Sequence, residues 1–166
     1  MDVDDEMTTL RAALSSQRNH VLSALDGLSD HQLAQSVMPS GWSCAGLVKH
    51  LALSDEHYWL RSIVGGESLD DFFPEGDGAD WVLAAAETPA SVLALYRTEI
   101  AAADRALDGL AATDPPAQRD PLWDQWGIDF PTVRSVMLHM IIETATHAGH
   151  LDATRELLDG KQHLVL

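Results

Sequence analysis

The stretch Met140-Ile141-Ile142-Glu143-Thr144-Ala145-Thr146-His147-Ala148-Gly149-His150 decides how the rest of the chain is read. Glu143 and His147 are four residues apart, His150 follows three later, and His139 stands four before Glu143. At about 100° per residue, these side chains fall within roughly 80° of one helix face. Val136, Met140 and Leu151 share or border that arc. The helix therefore turns a carboxylate and several imidazoles toward the side that its apolar residues bury. Burying such groups is costly unless something satisfies them. A bound divalent cation is the simplest compensation.

Outward from this helix the chain reads as helix throughout, with no convincing strand. A first helix is expected over roughly 5–27, where Met7, Leu10, Leu14, Val21, Leu25 and Leu28 keep a helical period. Ser29-Asp30-His31-Gln32 has the form of a capping box that opens a short turn. Pro39-Ser40-Gly41 breaks the chain. Ser43 then caps a second helix that should run to about Val64, where Gly65-Gly66 stops it. Residues 66–87 form an acidic connection with a helical turn expected at 80–87. Thr88-Pro89 opens a third helix, ending near Leu107 with Gly109 as terminator. Residues 110–130 form a long loop carrying Pro115, Pro116, Pro121, Trp123 and Trp126. Loops of that length are often functional, and the two tryptophans either line a pocket or pin the loop. Pro131 opens the last helix, expected to end near Asp159 at Gly160. Four amphipathic helices imply an all-α four-helix bundle formed by residues 1–166 as a single domain. Bundles build metal sites from side chains on facing helices.

Composition narrows the function. At 166 residues the chain can bury a real core, and 46% apolar content excludes general disorder. With 26 acidic and 10 basic residues the net charge is −16. No basic patch is visible to neutralise phosphates, so no nucleic-acid partner is expected. The same charge disfavours anionic membrane surfaces. Much of it lies in Asp2-Val3-Asp4-Asp5-Glu6 and in the 66–88 loop, both read as solvated. No apolar run reaches membrane-spanning length, and the acidic start is unlike a signal peptide. Cys44 is the only cysteine, so no intrachain disulfide can form. A cytoplasmic protein without a membrane partner is expected. Lysine occurs only as Lys49 and Lys161 while Arg and Ala are abundant, a bias that suggests a GC-rich genome.

Glu143 and His147 can reach one ion from a single helix face. A third ligand must come from another helix, and His50 and His57 are the choices. They lie almost on one line two helix turns apart, roughly 10 Å, so both cannot serve the same ion. The residues alone leave that choice open.

Two motifs carry a resemblance. One is Gly41-Trp42-Ser43 followed by Leu47-Val48-Lys49-His50-Leu51-Ala52 and Tyr58-Trp59. The other is His139-Met140-Ile141-Ile142-Glu143 through His147-Ala148-Gly149-His150-Leu151-Asp152 to Arg155-Glu156-Leu157. Together they resemble the DinB-like superfamily of metal-binding four-helix proteins, in particular its mycothiol-dependent maleylpyruvate isomerase-like branch, over nearly the whole chain. The resemblance implies metal ligands His50, Glu143 and His147, and so favours His50 over His57. It leaves His57 and His150 as residues lining the pocket or binding the thiol cosubstrate, or else as ordinary core or solvated histidines. His139 is expected to pack against or orient Glu143. Asp152 and Arg155 match the motif, although an i, i+3 surface ion pair explains them equally well. His20, His31 and His163 belong to no constellation and are expected at the surface. Cys44 lies in the first turn of the second helix, where the dipole would lower its pKa. Without a base partner, it reads as a packed thiol.

Two His and one carboxylate leave coordination positions open, as a reactive ion requires. The resemblance implies a divalent ion, zinc or nickel, that binds a low-molecular-weight thiol and presents its thiolate to a small electrophile such as an epoxide, a quinone or a halogenated xenobiotic. No catalytic residue beyond the metal ligands is assigned. Mycothiol is the thiol favoured by the bias of Arg over Lys, and detoxification is the role that follows. The alternative is a non-catalytic metal-binding stress or accessory protein. Oxygen chemistry at ferrous iron ranks last, since no motif for a redox cosubstrate is visible. The isomerase reaction itself is not expected, because only the bundle is present here. The superfamily also contains homodimers, so a second copy of the chain is a candidate partner.

Overall fold

The computed structural model describes residues 3–70 and 72–162. Among these, helix is the only extended regular structure, with one isolated bridge between Ser36 and Ser43. Helix α1 spans Val3–Leu25, α2 Asp30–Ala34, and α3 Cys44–His50. A π-helical run, Leu51–Val64, continues α3 without a break. A 3-10 turn at Ala79–Trp81 precedes α4 (Pro89–Ala106), α5 (Trp123–Trp126) and α6 (Val133–Asp159). The four long rods are α1, α3 with its π continuation, α4 and α6. In the bundle α6 packs along α1, and the π run packs along α4. The all-α bundle read from the sequence is the observed fold.

The caps explain the boundaries. Ser29 accepts from the Gln32 amide in a complete capping box. Ser43 accepts from the Gly46 amide. Thr88 and Ser91 form a further box with Pro89 inside the first turn. At α6 the start differs from expectation, since Thr132 is the N-cap and Pro131 precedes it. Gly160, at φ 74°, ends α6 in the left-handed conformation that favours glycine. The expected turn at 80–87 is shorter than its sequence suggests, with only Ala79–Trp81 helical.

The π winding after His50 also departs from the expected α-helix. Gly65 N–H reaches Leu60 C=O at 3.0 Å, a five-residue step. Of the 14 residues in the run, 11 are buried. Buried positions therefore surround the rod almost completely, and their spacing cannot distinguish one winding from another.

Two apolar clusters form the core. One gathers Leu14, Tyr58, Trp59, Trp123, Met137 and Met140; the other gathers Val21, Leu47, Leu51, Tyr96, Ala148 and Leu151. Each long rod carries buried polar residues where it passes from one cluster to the other. These are Arg18 in α1, Asp55 and Glu56 in the π run, Glu99 in α4, and Thr144 and His147 in α6. A polar layer thus crosses the bundle, and the signature stretch of α6 contributes to it.

Several expected surface groups are engaged. His20 Nε2 lies 2.7 Å from Asp152 Oδ2. Asp152 and Arg155 are therefore not the surface pair that their spacing suggests. Arg155 is buried, donates to the carbonyls of Ala24 and Asp26, and pairs with Asp159. It ties the last turns of α6 to the end of α1. Glu6, read as part of a solvated acidic start, pairs with Arg134. His31 is exposed as expected, and His163 lies outside the described residues. Trp123 is buried, and its Nε1–H donates to Tyr58 Oη at 3.0 Å. Tyr58 in turn donates to Asp120, so Trp123 pins the long loop, while Trp126 stays exposed. No helix among the described residues is long and apolar enough to cross a membrane.

Candidate metal centre

His50 is the last residue of α3, and its position is set by a loop packed on that helix. Its Nδ1 lies 2.6 Å from Asp80 Oδ2 in the 3-10 turn. Ser54 Oγ–H donates to the same oxygen at 3.0 Å. Burial would raise the Asp80 pKa, but the hydrogen bonds from His50 and Ser54 outweigh it and hold the carboxyl below its ordinary value. Trp81 stacks on the His50 ring, with centroids 4.0 Å apart. This close seat depends on Gly46, because a Cβ there would come within 2.0 Å of the Trp81 carbonyl oxygen.

His147 faces His50 from α6. Their ring centroids are 5.3 Å apart in an edge-to-face arrangement. Trp81 and His150 flank His147 at 5.7 and 5.6 Å. Although His147 is only 8% exposed, its buried Nδ1 has no hydrogen-bond partner. Burial, reinforced by the neighbouring His50 and His150, pushes its pKa down to about 4. The imidazole is thus neutral at physiological pH and keeps a lone pair. One turn earlier, Glu143 places a carboxylate oxygen 3.7 Å from His147 Nε2, with its side chain 39% exposed.

His50, Glu143 and His147 therefore meet at one place, with His150 and Trp42 at the rim, their rings 6.3 Å apart. His57 and His139 are engaged elsewhere. His57 stacks on Phe72 and contacts Glu99 and Arg61. Burial and then Arg61 lower its pKa. His139 packs against Trp59 and Phe130, and burial lowers its pKa as well.

Among the described residues no group of three His, Cys, Asp or Glu side chains is placed to hold a metal ion as it stands. The chemistry of His50, Glu143 and His147, two imidazoles and a carboxylate, is that of a divalent-ion donor set, and one pair has nearly the required spacing. Ligands bound at about 2.1 Å in tetrahedral geometry sit about 3.4 Å apart, close to the 3.7 Å between Glu143 and His147. That distance is to Nε2; the orphaned Nδ1, on the other side of the ring, is a second buried polar atom that a ligand would satisfy.

Residues 9–160 match the family model described as Mycothiol-S-transferase. The chain belongs to the mycothiol S-transferase family. This DinB-like family is the transferase side of the relationship read from the two motifs, rather than the isomerase. No curated protein and no solved structure matches the chain. Membership makes the chain one of a family of mycothiol-linked transferases.

Around the centre of this mycothiol S-transferase family member lie residues that the sequence did not single out. Asp80 and Trp81 come from the acidic connection, where a helical turn but no site residue was expected. Asp55 is fully buried beside Glu56, and its Oδ2 has no partner. Burial first, then the charges of Glu56 and Glu143, push this carboxyl well above the usual range. The available clue was an acid in the middle of an apolar run.

Cys44 is buried, as the packed-thiol reading requires. Its pKa, however, goes up to about 11, because burial outweighs the influences that lower it. The native thiol should resist iodoacetamide at about pH 8, while the urea-unfolded chain reacts readily. Rapid native alkylation, followed by mass spectrometry, would contradict this assignment.

Proposed function

We propose that this transferase holds a divalent ion, zinc or nickel, through His50, Glu143 and His147, and uses it to activate mycothiol for attack on a small electrophile. The observation that carries the reading is the convergence of three donors, with the buried His147 ring edge-on to His50 and its Nε2 3.7 Å from the Glu143 carboxylate. When bound, the ion would lower the pKa of a coordinated thiol and hold it as thiolate. His147 supplies a neutral imidazole without first losing a proton. Glu143 supplies negative charge and leaves room for the thiol. His150 and Trp42 line the approach, and His57 is a more distant candidate contact for the body of the thiol. Trp81 shields one side of His50 from water.

The thiol proton leaves to water. The sulfur electron pair forms a bond to the electrophilic carbon; in a halogenated substrate the carbon–halogen bond breaks with its electron pair, and in a quinone the C=C π pair moves to the carbonyl oxygen, which takes a proton from water. For an epoxide the broken bond is C–O, and the oxygen then takes a proton from water. A reducing cytoplasm that preserves free thiols suits this chemistry.

The test is consumption of an epoxide or a quinone by purified protein. Activity should require mycothiol and metal together, disappear after chelation, and return when zinc or nickel is restored. Consumption by chelated protein would remove the metal from the mechanism. Metal binding with no turnover of any epoxide, quinone or halogenated substrate would favour the accessory role.

A further inference from the structure

The geometry points to Asp80 as a positioning residue that fixes the His50 ring with Nε2 free for a ligand, and to Lys49 as the latch that keeps Asp80 in place. This inference rests on the proposed role of His50. A carboxylate only accepts hydrogen bonds, so at 2.6 Å the His50 Nδ1 must donate its proton to Asp80 Oδ2. In the neutral imidazole that leaves the lone pair on Nε2. Metal-binding histidines are commonly oriented in this way, by a carboxylate on the other ring nitrogen.

What distinguishes this contact from a chance surface pair is how the Asp80 loop is held. Lys49 immediately precedes His50 and is 3% exposed. A buried ammonium is costly unless each donor finds an acceptor. Lys49 Nζ donates to Ala79 C=O at 3.1 Å, Val82 C=O at 2.8 Å and the Glu87 carboxylate at 2.8 Å. Its acceptors thus bracket Asp80 and Trp81 on both sides. Glu87 also accepts from the Ala84 amide, which closes the loop onto its own latch. Gly46 removes the Cβ that would lift Trp81 from the helix. Ser54 Oγ–H fixes the Asp80 oxygen that meets His50. Neighbouring positions of one helix therefore hold a loop about thirty residues away so that a single carboxylate oxygen meets a single imidazole nitrogen.

The test starts with metal-free, 15N-labelled protein, because long-range 1H–15N correlations report which nitrogen of His50 carries the proton. Wild type should show a protonated Nδ1 and an unprotonated Nε2. In Asp80→Ala the proton should redistribute toward Nε2, and zinc affinity by calorimetry should fall about 10–100-fold. Lys49→Met should shift both readouts in the same direction while the helical circular dichroism is retained. If Lys49→Met fails to fold, Asp80→Ala and Ser54→Ala still decide the role of Asp80, since neither removes a core side chain. An unchanged His50 tautomer in Asp80→Ala would overturn the inference. So would a shifted tautomer with zinc affinity within about twofold of wild type. A wild-type protein that binds no zinc would instead remove the metal reading, and the tautomer comparison would still decide whether Asp80 orients His50.

Discussion

Arg18→Met is expected to destabilise the folded protein by about 3–5 kcal/mol, the usual cost of leaving one half of a buried ion pair without its partner. Arg18 projects from α1 into the polar layer between the two apolar clusters. Its Nε and Nη2 donate to the two oxygens of Glu56 at 2.7 and 2.5 Å, and its Nη1 donates to Asp104 at 2.7 Å. Glu56 is 1% exposed, so water cannot replace the lost donors. Asp104 and Glu99 act on Glu56 in the opposite sense to Arg18, so removing Arg18 leaves a buried carboxyl among acids. The exposed pair of Arg11 with Asp108 makes the contrast, and replacing Arg11 should cost less than about 1 kcal/mol. Urea denaturation at neutral pH measures both. The double variant Arg18→Met/Glu56→Leu should recover most of the loss, because well-packed apolar groups can replace a buried pair with little penalty. A loss below about 1 kcal/mol for Arg18→Met alone would show that water reaches the layer.

The polar layer also shows where the sequence stops being legible. Periodicity finds helices by treating polar residues as solvent-facing. Arg18, Glu56 and Glu99 interrupt otherwise good apolar patterns, and each is satisfied by a partner on another rod that no local pattern reveals. The α6 stripe was legible for the opposite reason. Glu143, His147 and His150 share a period with Met140 and Leu151, so one helix displays both the core face and the candidate donors. Ser29, Ser43 and Thr88 were legible because a capping hydrogen bond spans only three residues. Asp80 was not, since its partner lies thirty positions away and its loop looks like any acidic, glycine-rich connection. A rare lysine placed directly before a candidate ligand was the signal that could have pointed to that loop. The π winding stayed hidden because a rod buried nearly all round gives no period to read.

His147→Ala should change two measurable properties, and the first requires no metal. In the folded metal-free protein the His147 pKa is lowered from 6.5 to about 4. Between those values the unfolded chain binds a proton that the folded chain excludes, so stability falls as pH drops from about 6.5 to about 4 and levels off below. The full shift corresponds to about 3 kcal/mol, and solvent at the open edge of the ring reduces this to about 2 kcal/mol. His57 and His139 contribute slopes of the same sign, so the difference between wild type and His147→Ala isolates this one ring. Urea titrations across that window should show a flatter profile in the variant. The second property is stabilisation by zinc. At a hundredfold excess over its dissociation constant, zinc should stabilise wild type by about 2.7 kcal/mol and raise its Tm, because the ion binds only the folded arrangement. His147→Ala should lose that increment entirely, since Glu143 and His50 alone leave the ion too few protein ligands. Loss of both effects would make the same buried imidazole responsible for the acid sensitivity and the metal affinity. A zinc-dependent rise in Tm that survives in His147→Ala would place the ion elsewhere and separate the buried histidine from the chemistry of the family.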